Sequence, residues 1–238
     1  MESLVSKKIL LSAVAVTLLG SAAVLAQGQQ QPQPPMTFFI ATNPAGTGNL
    51  GGLDGADRIC QNLAAAAGAG NRTWHAYLST QAQGGRPGVN ARGRIGAGPW
   101  YNAKGQMIAA NVADLHGDQQ RDRNNIQKAT ALDEKGNPIN GVGQMPNEHD
   151  MLTGSDSDGR AFTDGVDHTC NNWTADGMDI PGANPNAPRV QTKAMLGHSD
   201  RSGGANTSWN AAHMSQGCSK QALINTGGAG RFYCFAIN

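Results

Sequence analysis

Residues 231–237 read RFYCFAI, a run that alternates Phe232, Cys234 and Ala236 on one face against Tyr233, Phe235 and Ile237 on the other. That period of two, in β-branched and aromatic types, predicts a strand. Its cysteine needs a partner, and an early helix supplies one candidate. Leu53, Ala56, Ile59, Cys60, Leu63 and Ala67 recur at helical spacing, with Asp54 and Asp57 near the positive N-terminal end and Gly68 as a stop. Cys60 then lies on the buried face of the helix, where a strand carrying Cys234 can be tied to it. Cys170 and Cys218 complete an even set of four. Two disulfides fit an oxidising compartment, no pair has the C-x-x-C spacing of zinc ribbons or redox sites, and spacing alone leaves three connectivities open.

An oxidising compartment agrees with the leader. Lys7 and Lys8 precede an uncharged run from Ile9 to Leu25 that ends in Val24-Leu25-Ala26, which reads as a signal peptide over 1–26 cleaved before Gln27. A membrane anchor is the alternative, but Ser12, Thr17, Gly20 and Ser21 dilute the run, and no other apolar stretch is long enough to cross a bilayer. Residues 27–35, QGQQQPQPP, form a disordered Gln/Pro-rich leader, and the folded domain is expected over 36–238. The expected location is therefore secreted: extracellular, cell-surface or periplasmic, with no transmembrane segment in the mature chain.

Of 238 residues, 32 are glycine and 11 proline, which excludes an all-helical bundle. Lys plus Arg (18) nearly balances Asp plus Glu (17), so there is no basic field for nucleic acid. Strands are predicted at 36–42 (MTFFIAT) and 73–79 (TWHAYLS), and a hairpin over 99–110 with its turn at Asn102 to Gly105. Residues 80–98 and 111–165 read as loop-rich, Met151 to Gly154 and Phe162 as short strand-like pieces, and Ala222 to Ile224 as a further strand-like piece. Gly227 to Gly230 reads as a turn before the last strand.

The block 48–60 (GNLGGLDGADRIC), followed by 72–79 (RTWHAYLS), resembles the opening of the endostatin module of collagens XV and XVIII. Gly98 to Gly105 is similar to that module's next hairpin, Cys170-Asn171-Asn172-Trp173 to its Cys-x-x-Trp, and Cys218 and Cys234 fall where its last two cysteines fall. Exported bacterial endostatin-like proteins, the leptospiral ones included, are the expected relatives. The resemblance spans about Phe38 to Ile237. It implies a C-type-lectin-like, α+β fold with small antiparallel sheets, one or two helices, long loops and paired termini. It also implies nested disulfides, Cys60 with Cys234 and Cys170 with Cys218. Calcium-dependent lectins use a Glu-Pro-Asn or Gln-Pro-Asp tripeptide and a later Trp-Asn-Asp. The nearest pieces here are Pro146-Asn147-Glu148 and Trp209-Asn210-Ala211, with Ala211 in place of the aspartate, so that site does not carry over intact.

From Glu148 to Asp179 eight acidic residues face one basic residue, Arg160. Such oxygen ligands suit calcium, and Asp156 and Asp158 are the candidate metal residues, against the plain reading of a solvated acidic face. Histidines stand beside acids in His116/Asp118, Glu148-His149-Asp150, Asp167-His168 and His198/Asp200. Imidazole with carboxylate suits zinc or a general base, although no H-E-x-x-H spacing occurs and the plain reading is an ordinary hydrogen bond. Endostatin's own zinc site does not map here. Trp173 is expected in the core, and Trp209 on the surface as a stacking platform. Trp209, Asn210, Asn147 and Asp200 are the candidate ligand-binding residues. No G-x-S-x-G elbow or phosphate-binding glycine loop is present, so a non-enzymatic function is expected. The resulting expectation is an exported module that binds a glycan or an extracellular or host matrix protein, with calcium as the candidate cofactor. The rivals are an exported metal-dependent hydrolase acting on a glycan and a structural envelope protein without ligand.

Overall fold

In chain order the elements of the computed structural model are β1 (Phe38–Ala41), α1 (Gly52–Ala66), β2 (Trp74–Ala76), β3 (Trp100–Tyr101), β4 (Met107–Ala109), α2 (Val112–His116), β5 (Asp150–Leu152), α3 (Cys170–Trp173), β6 (Met195–His198), β7 (His213–Met214), α4 (Lys220–Thr226) and β8 (Gly228–Ala236). The structure describes residues 32–118, 124–177 and 192–238. The expected signal peptide and most of the Gln/Pro-rich leader lie outside the described residues. Among them, no helix is long and apolar enough to cross a membrane.

β8, the alternating stretch, is the centre of the main sheet. It pairs antiparallel with β1 (Phe38 opposite Phe235) and with β2 (Trp74 opposite Ala236), and parallel with β5. β6 then pairs antiparallel with β5, and β7 with β6, so the order is β1-β8-β5-β6-β7 with β2 also on β8. β3 and β4 form the separate hairpin, closed by a Gly105 N–H to Asn102 carbonyl bond of 2.9 Å. The architecture is mixed α+β. Its sheets are small, one of six strands and one of two, and antiparallel except where β5 enters beside β8 in the same direction. Among the described residues the right-handed helices are few: α1, α4 and the five-residue α2.

Both faces of β8 are covered, which explains why its alternation is apolar in both registers. Phe232, Cys234 and Ala236 pack with Phe39, Trp74, Leu152, Leu196 and the inner face of α1. Tyr233 and Phe235 pack on the other side with Phe38, Tyr77, Trp100 and Trp209. Each fully buried aromatic ring contributes about 1.5–3 kcal/mol through the area it removes from water. Truncating Phe235, which touches the rings of Phe38, Tyr77 and Trp100, would cost about 3–5 kcal/mol.

The disulfides are nested. Cys60–Cys234 staples α1 to β8, and Cys170–Cys218 ties α3 to the segment before α4. α3 is a single turn whose four residues all have positive φ. A left-handed turn costs about 1–2 kcal/mol per residue. It is held by the disulfide, by the Trp173 indole donating to the Ser79 carbonyl at 2.8 Å, and by the Thr169 hydroxyl accepting from the Asn172 N–H.

Two strand-like pieces are corrected. Ala222 to Ile224 lies inside α4: the Ser219 side chain caps the helix by accepting from the Ala222 N–H, and Gly227 ends it with a left-handed φ. Phe162 is in no strand, and only its neighbour Ala161 makes an isolated bridge, with Ser155. The described residues of 111–165 are loop-rich as expected, pinned by the buried Leu115, Ile126, Leu132 and Ile139.

Candidate metal centre

Strand register alone puts three ligand-type side chains on one face. Asp150 at the start of β5 is the cross-strand partner of His198 at the end of β6, and Leu196, two residues before His198, is the partner of His213 in β7. Cross-strand partners share a face, as do residues two apart on one strand. Asp150, His198 and His213 therefore converge. His149, the residue before β5, folds its ring over the same spot and stacks on His198 with centroids 4.4 Å apart.

Asp150 Oδ1 is the hub. It lies 3.3 Å from His149 Nε2, 3.4 Å from His198 Nε2 and 3.6 Å from His213 Nε2. Ligands about 2.0–2.1 Å from a tetrahedral zinc ion stand about 3.3–3.4 Å from one another, so these separations match the edges of such a coordination shell. The ligand atoms of His149, Asp150 and His198 all lie within 4.8 Å of one another. Their side chains are 5%, 1% and 2% exposed, whereas that of His213 is 39% exposed.

In this buried setting four polar atoms have no hydrogen-bond partner among the described residues: both carboxylate oxygens of Asp150 and both ring nitrogens of His198. Leaving such groups unpaired is costly, and buried charges are ordinarily paired or coordinate metals. Burial, followed by the neighbouring His149 ring, lowers the pKa of His198 and favours its neutral, ligand-competent form. The Asp150 carboxylate raises that of His213 against an opposing effect of burial.

Asp200, just beyond β6, orients His149. Its Oδ1 accepts from His149 Nδ1 at 2.8 Å, which leaves the Nε2 lone pair aimed at the hub. The same carboxylate accepts the Val142 and Ser202 amides at 2.9 and 3.0 Å. Burial acts to raise the Asp200 pKa, but the His149 bond and these amides outweigh it and hold the carboxyl well below the usual range. Gly141 permits the arrangement, since a Cβ there would lie 2.2 Å from Asp200 Oδ2.

The sequence-predicted site residues are not brought together as expected. Asp200 is at the cluster, in a supporting role. Asn147 is nearby, its Oδ1 3.4 Å from the His149 amide nitrogen, but its own amide nitrogen packs against Gly227. Trp209 is not a surface platform: it is 4% exposed and packs against Tyr77, His116 and Tyr233, because the loop carrying it folds onto the apolar lower face of β8. Asn210 is buried beneath that loop, where its Nδ2 donates to Tyr77 Oη and to the Asp156 and Ser157 carbonyls.

Asp156 and Asp158 lie in a local turn away from this cluster. The Asp156 Oδ1 accepts the amides of Asp158 and Arg160, closing a local turn, and Asp158 is exposed. The other His–acid neighbours keep the plain reading: His116 bonds Tyr77 Oη and the Val112 carbonyl, and His168 bonds Asp164. His213 has no acid beside it in the sequence, and only the β6–β7 pairing reveals its role. Comparison of the chain with protein-family models and with curated proteins finds no match.

Proposed function

We propose that the protein is an exported binding module, C-type-lectin-like in fold, that holds one zinc-class transition metal through His149, Asp150 and His198, with His213 as the fourth ligand. The observation that carries this reading is the buried Asp150 carboxylate, unpartnered like the His198 ring, whose Oδ1 stands close to tetrahedral edge distance from the Nε2 atoms of His149, His198 and His213. Imidazole nitrogens with one carboxylate suit zinc and its first-row neighbours, whereas calcium takes six to eight oxygens, so calcium is not the favoured ion at this cluster. The paired first and last strands, the helix-to-strand disulfide and the nested second bridge support the endostatin-like reading of the scaffold. Two disulfides together with the leader sequence support export. The recognition target in this reading is a glycan or an extracellular protein.

The metal joins β5, β6 and β7 and stabilises their packing, as a closed structural site does. A second reading, a metal-dependent hydrolase, draws on the exposure of His213: with that ring turned out, the fourth position opens to water. Titration of the purified exported protein, first stripped with a chelator, with Zn2+ and with Co2+ tests the proposal. One ion per chain, a low-coordinate cobalt spectrum and loss of both in His198→Ala are expected. Absence of binding, or binding unchanged in His198→Ala, overturns it. Metal-dependent turnover of oligosaccharides would favour the hydrolase.

A further inference from the structure

The first residue of β6, Met195, has a ligand-type side chain beside it on each edge. Thr169 forms an isolated antiparallel bridge with Ala194, and the Met195 N–H donates to the His168 carbonyl at 2.8 Å, so His168 stands opposite Met195. On the other edge Met195 pairs with Met214 of β7. Cross-strand partners share a face, so one row across three segments carries an imidazole and two thioethers. Successive residues of a strand point to opposite faces. Met195 and Met214 therefore lie on the other side of β6 and β7 from Leu196 and His213, and from the zinc-class cluster.

Two strand spacings, about 9.5 Å, separate the outer members of the row. The side chains close that gap: His168 Nδ1 lies 3.1 Å from Met214 Sδ. The other ring nitrogen, Nε2, lies 3.2 and 2.9 Å from the two Asp164 carboxylate oxygens. The bond to His168, with the Val166 amide, holds the Asp164 carboxyl below its usual range, so it is ionised and can only accept. A neutral imidazole has one N–H, which the carboxylate takes. Nδ1 then turns a lone pair toward a sulfur that has no hydrogen to give. Either a second proton or a cation must stand between the two atoms. A proton uses two partners, whereas a soft cation also engages the Met195 thioether in the same row. An imidazole nitrogen about 2.0 Å and a sulfur about 2.3 Å from one ion stand about 3.1–3.5 Å apart at bond angles of about 90–110°, so the observed pair fits one edge of a coordination shell. Asp164 is the carboxylate that orients a ligating imidazole, and Phe162 stacks on the ring with centroids 3.8 Å apart, which fixes its plane.

Thioethers are soft ligands that select Cu(I), whereas zinc takes thiolate, imidazole and carboxylate, and calcium takes oxygen. We propose that His168, Met195 and Met214 bind one soft monovalent metal ion, Cu(I), independently of the zinc-class cluster on the opposite face. The position is shielded yet reachable: His168 is buried, both methionines are half-buried, and the Asp164 side chain is exposed. The two faces of β6 and β7 then sort metals by ligand softness, three imidazoles with a carboxylate on one and an imidazole with two thioethers on the other.

Two probes test it on the exported protein after incubation with zinc: Ag(I), a soft monovalent ion that needs no reductant, and Cu(I) supplied by a chromophoric chelator under anaerobic ascorbate. The methionine methyl groups carry 13C and are followed by NMR. The expected result is one Ag(I) per chain, with the Met195 and Met214 methyl signals moving while those of the exposed Met107 and Met145 stay in place. Met195→Leu and Met214→Leu, close to methionine in volume, each remove one of three ligands and weaken Cu(I) binding about ten-fold or more. His198→Ala removes a ligand of the zinc-class cluster and leaves Cu(I) binding unchanged, so the two metal readings stand or fall separately. Signals of Met107 and Met145 that move before those of Met195 and Met214 mark binding to any accessible thioether and overturn the site. Absence of Ag(I) and Cu(I) binding, the result when a proton fills the space between His168 and Met214, overturns it too, as does an unchanged affinity in Met214→Leu. Cu(I) binding lost in folded His198→Ala assigns the ion to the zinc-class cluster and overturns the proposal. The methyl signals are read on the wild type and decide the matter even where a variant does not fold.

Discussion

Asp150→Asn separates a metal ligand from a merely buried carboxylate, because the two roles predict opposite patterns. Asp150 Oδ1 is the shared neighbour of three imidazoles, and neither of its oxygens accepts a hydrogen bond. With free zinc at about a thousand times Kd, binding to the native state alone stabilises the fold by about 4 kcal/mol. For a chain of this size each kcal/mol moves Tm by about 2–4 °C, so zinc raises the wild-type Tm by about 8–16 °C. The amide keeps the shape but removes the anionic ligand, and the zinc-dependent rise disappears. In chelator the comparison changes, because the wild type then buries a carboxylate with no donor. The substituted amide carries no charge to desolvate, so in chelator the variant is at least as stable as the wild type. Scanning calorimetry of both proteins, in EDTA and in excess zinc, reads all four values. An equal zinc shift in both, or a variant several kcal/mol less stable in EDTA with no zinc effect on the wild type, refutes the reasoning.

Asp200→Asn weakens zinc binding about 10–100-fold, the usual effect of losing a carboxylate behind a ligating histidine, and competition with a chromophoric chelator measures it. Because the folded Asp200 pKa is depressed, its stabilising contribution is present above the unfolded value near 3.9 and is lost as pH falls through the folded one. The wild type therefore loses stability more steeply than Asp200→Asn below about pH 4, as urea unfolding at pH 5 and pH 3 reads. Trp209→Ala costs about 3–5 kcal/mol in urea unfolding, whereas a surface platform would cost almost nothing. Gly197→Ala destabilises strongly, since a Cβ there would lie 1.8 Å from the Trp209 carbonyl oxygen, and a variant with wild-type Tm would contradict the loop placement. The double variant Cys60→Ala with Cys234→Ala loses about 2–5 kcal/mol by removing the staple between α1 and β8.

Local pattern makes α1, β1, β2, β8 and the β3–β4 hairpin legible, because each signals through its own period or turn residues. Cys60 on a helix face and Cys234 on a strand face are readable for the same reason. β6 is not: Met195 and Leu196 are its only large apolar residues, too few to show a period. α4 reads as strand because three apolar residues fit either element, although Ser219 and Gly227 mark a capped helix. The site shows the same division. Glu148-His149-Asp150 and His198/Asp200 are visible as neighbours, but their convergence depends on Asp150 pairing with His198, a contact between residues far apart in sequence. His213 enters only through the next strand pairing. Trp209 carries glycine and asparagine neighbours that read as surface, while its burial comes from Tyr77 and Tyr233, which lie far from it in sequence.

The strand at the middle of the sheet is synthesised after every strand that pairs with it. β1, β2 and β5 all wait for β8 before any of them has its central neighbour. Such dependence on distant pairings slows folding, since loop closure precedes the contacts that reward it. The segment already made cannot complete its sheet early, and the Cys60–Cys234 bond can form only after the last strand has been synthesised.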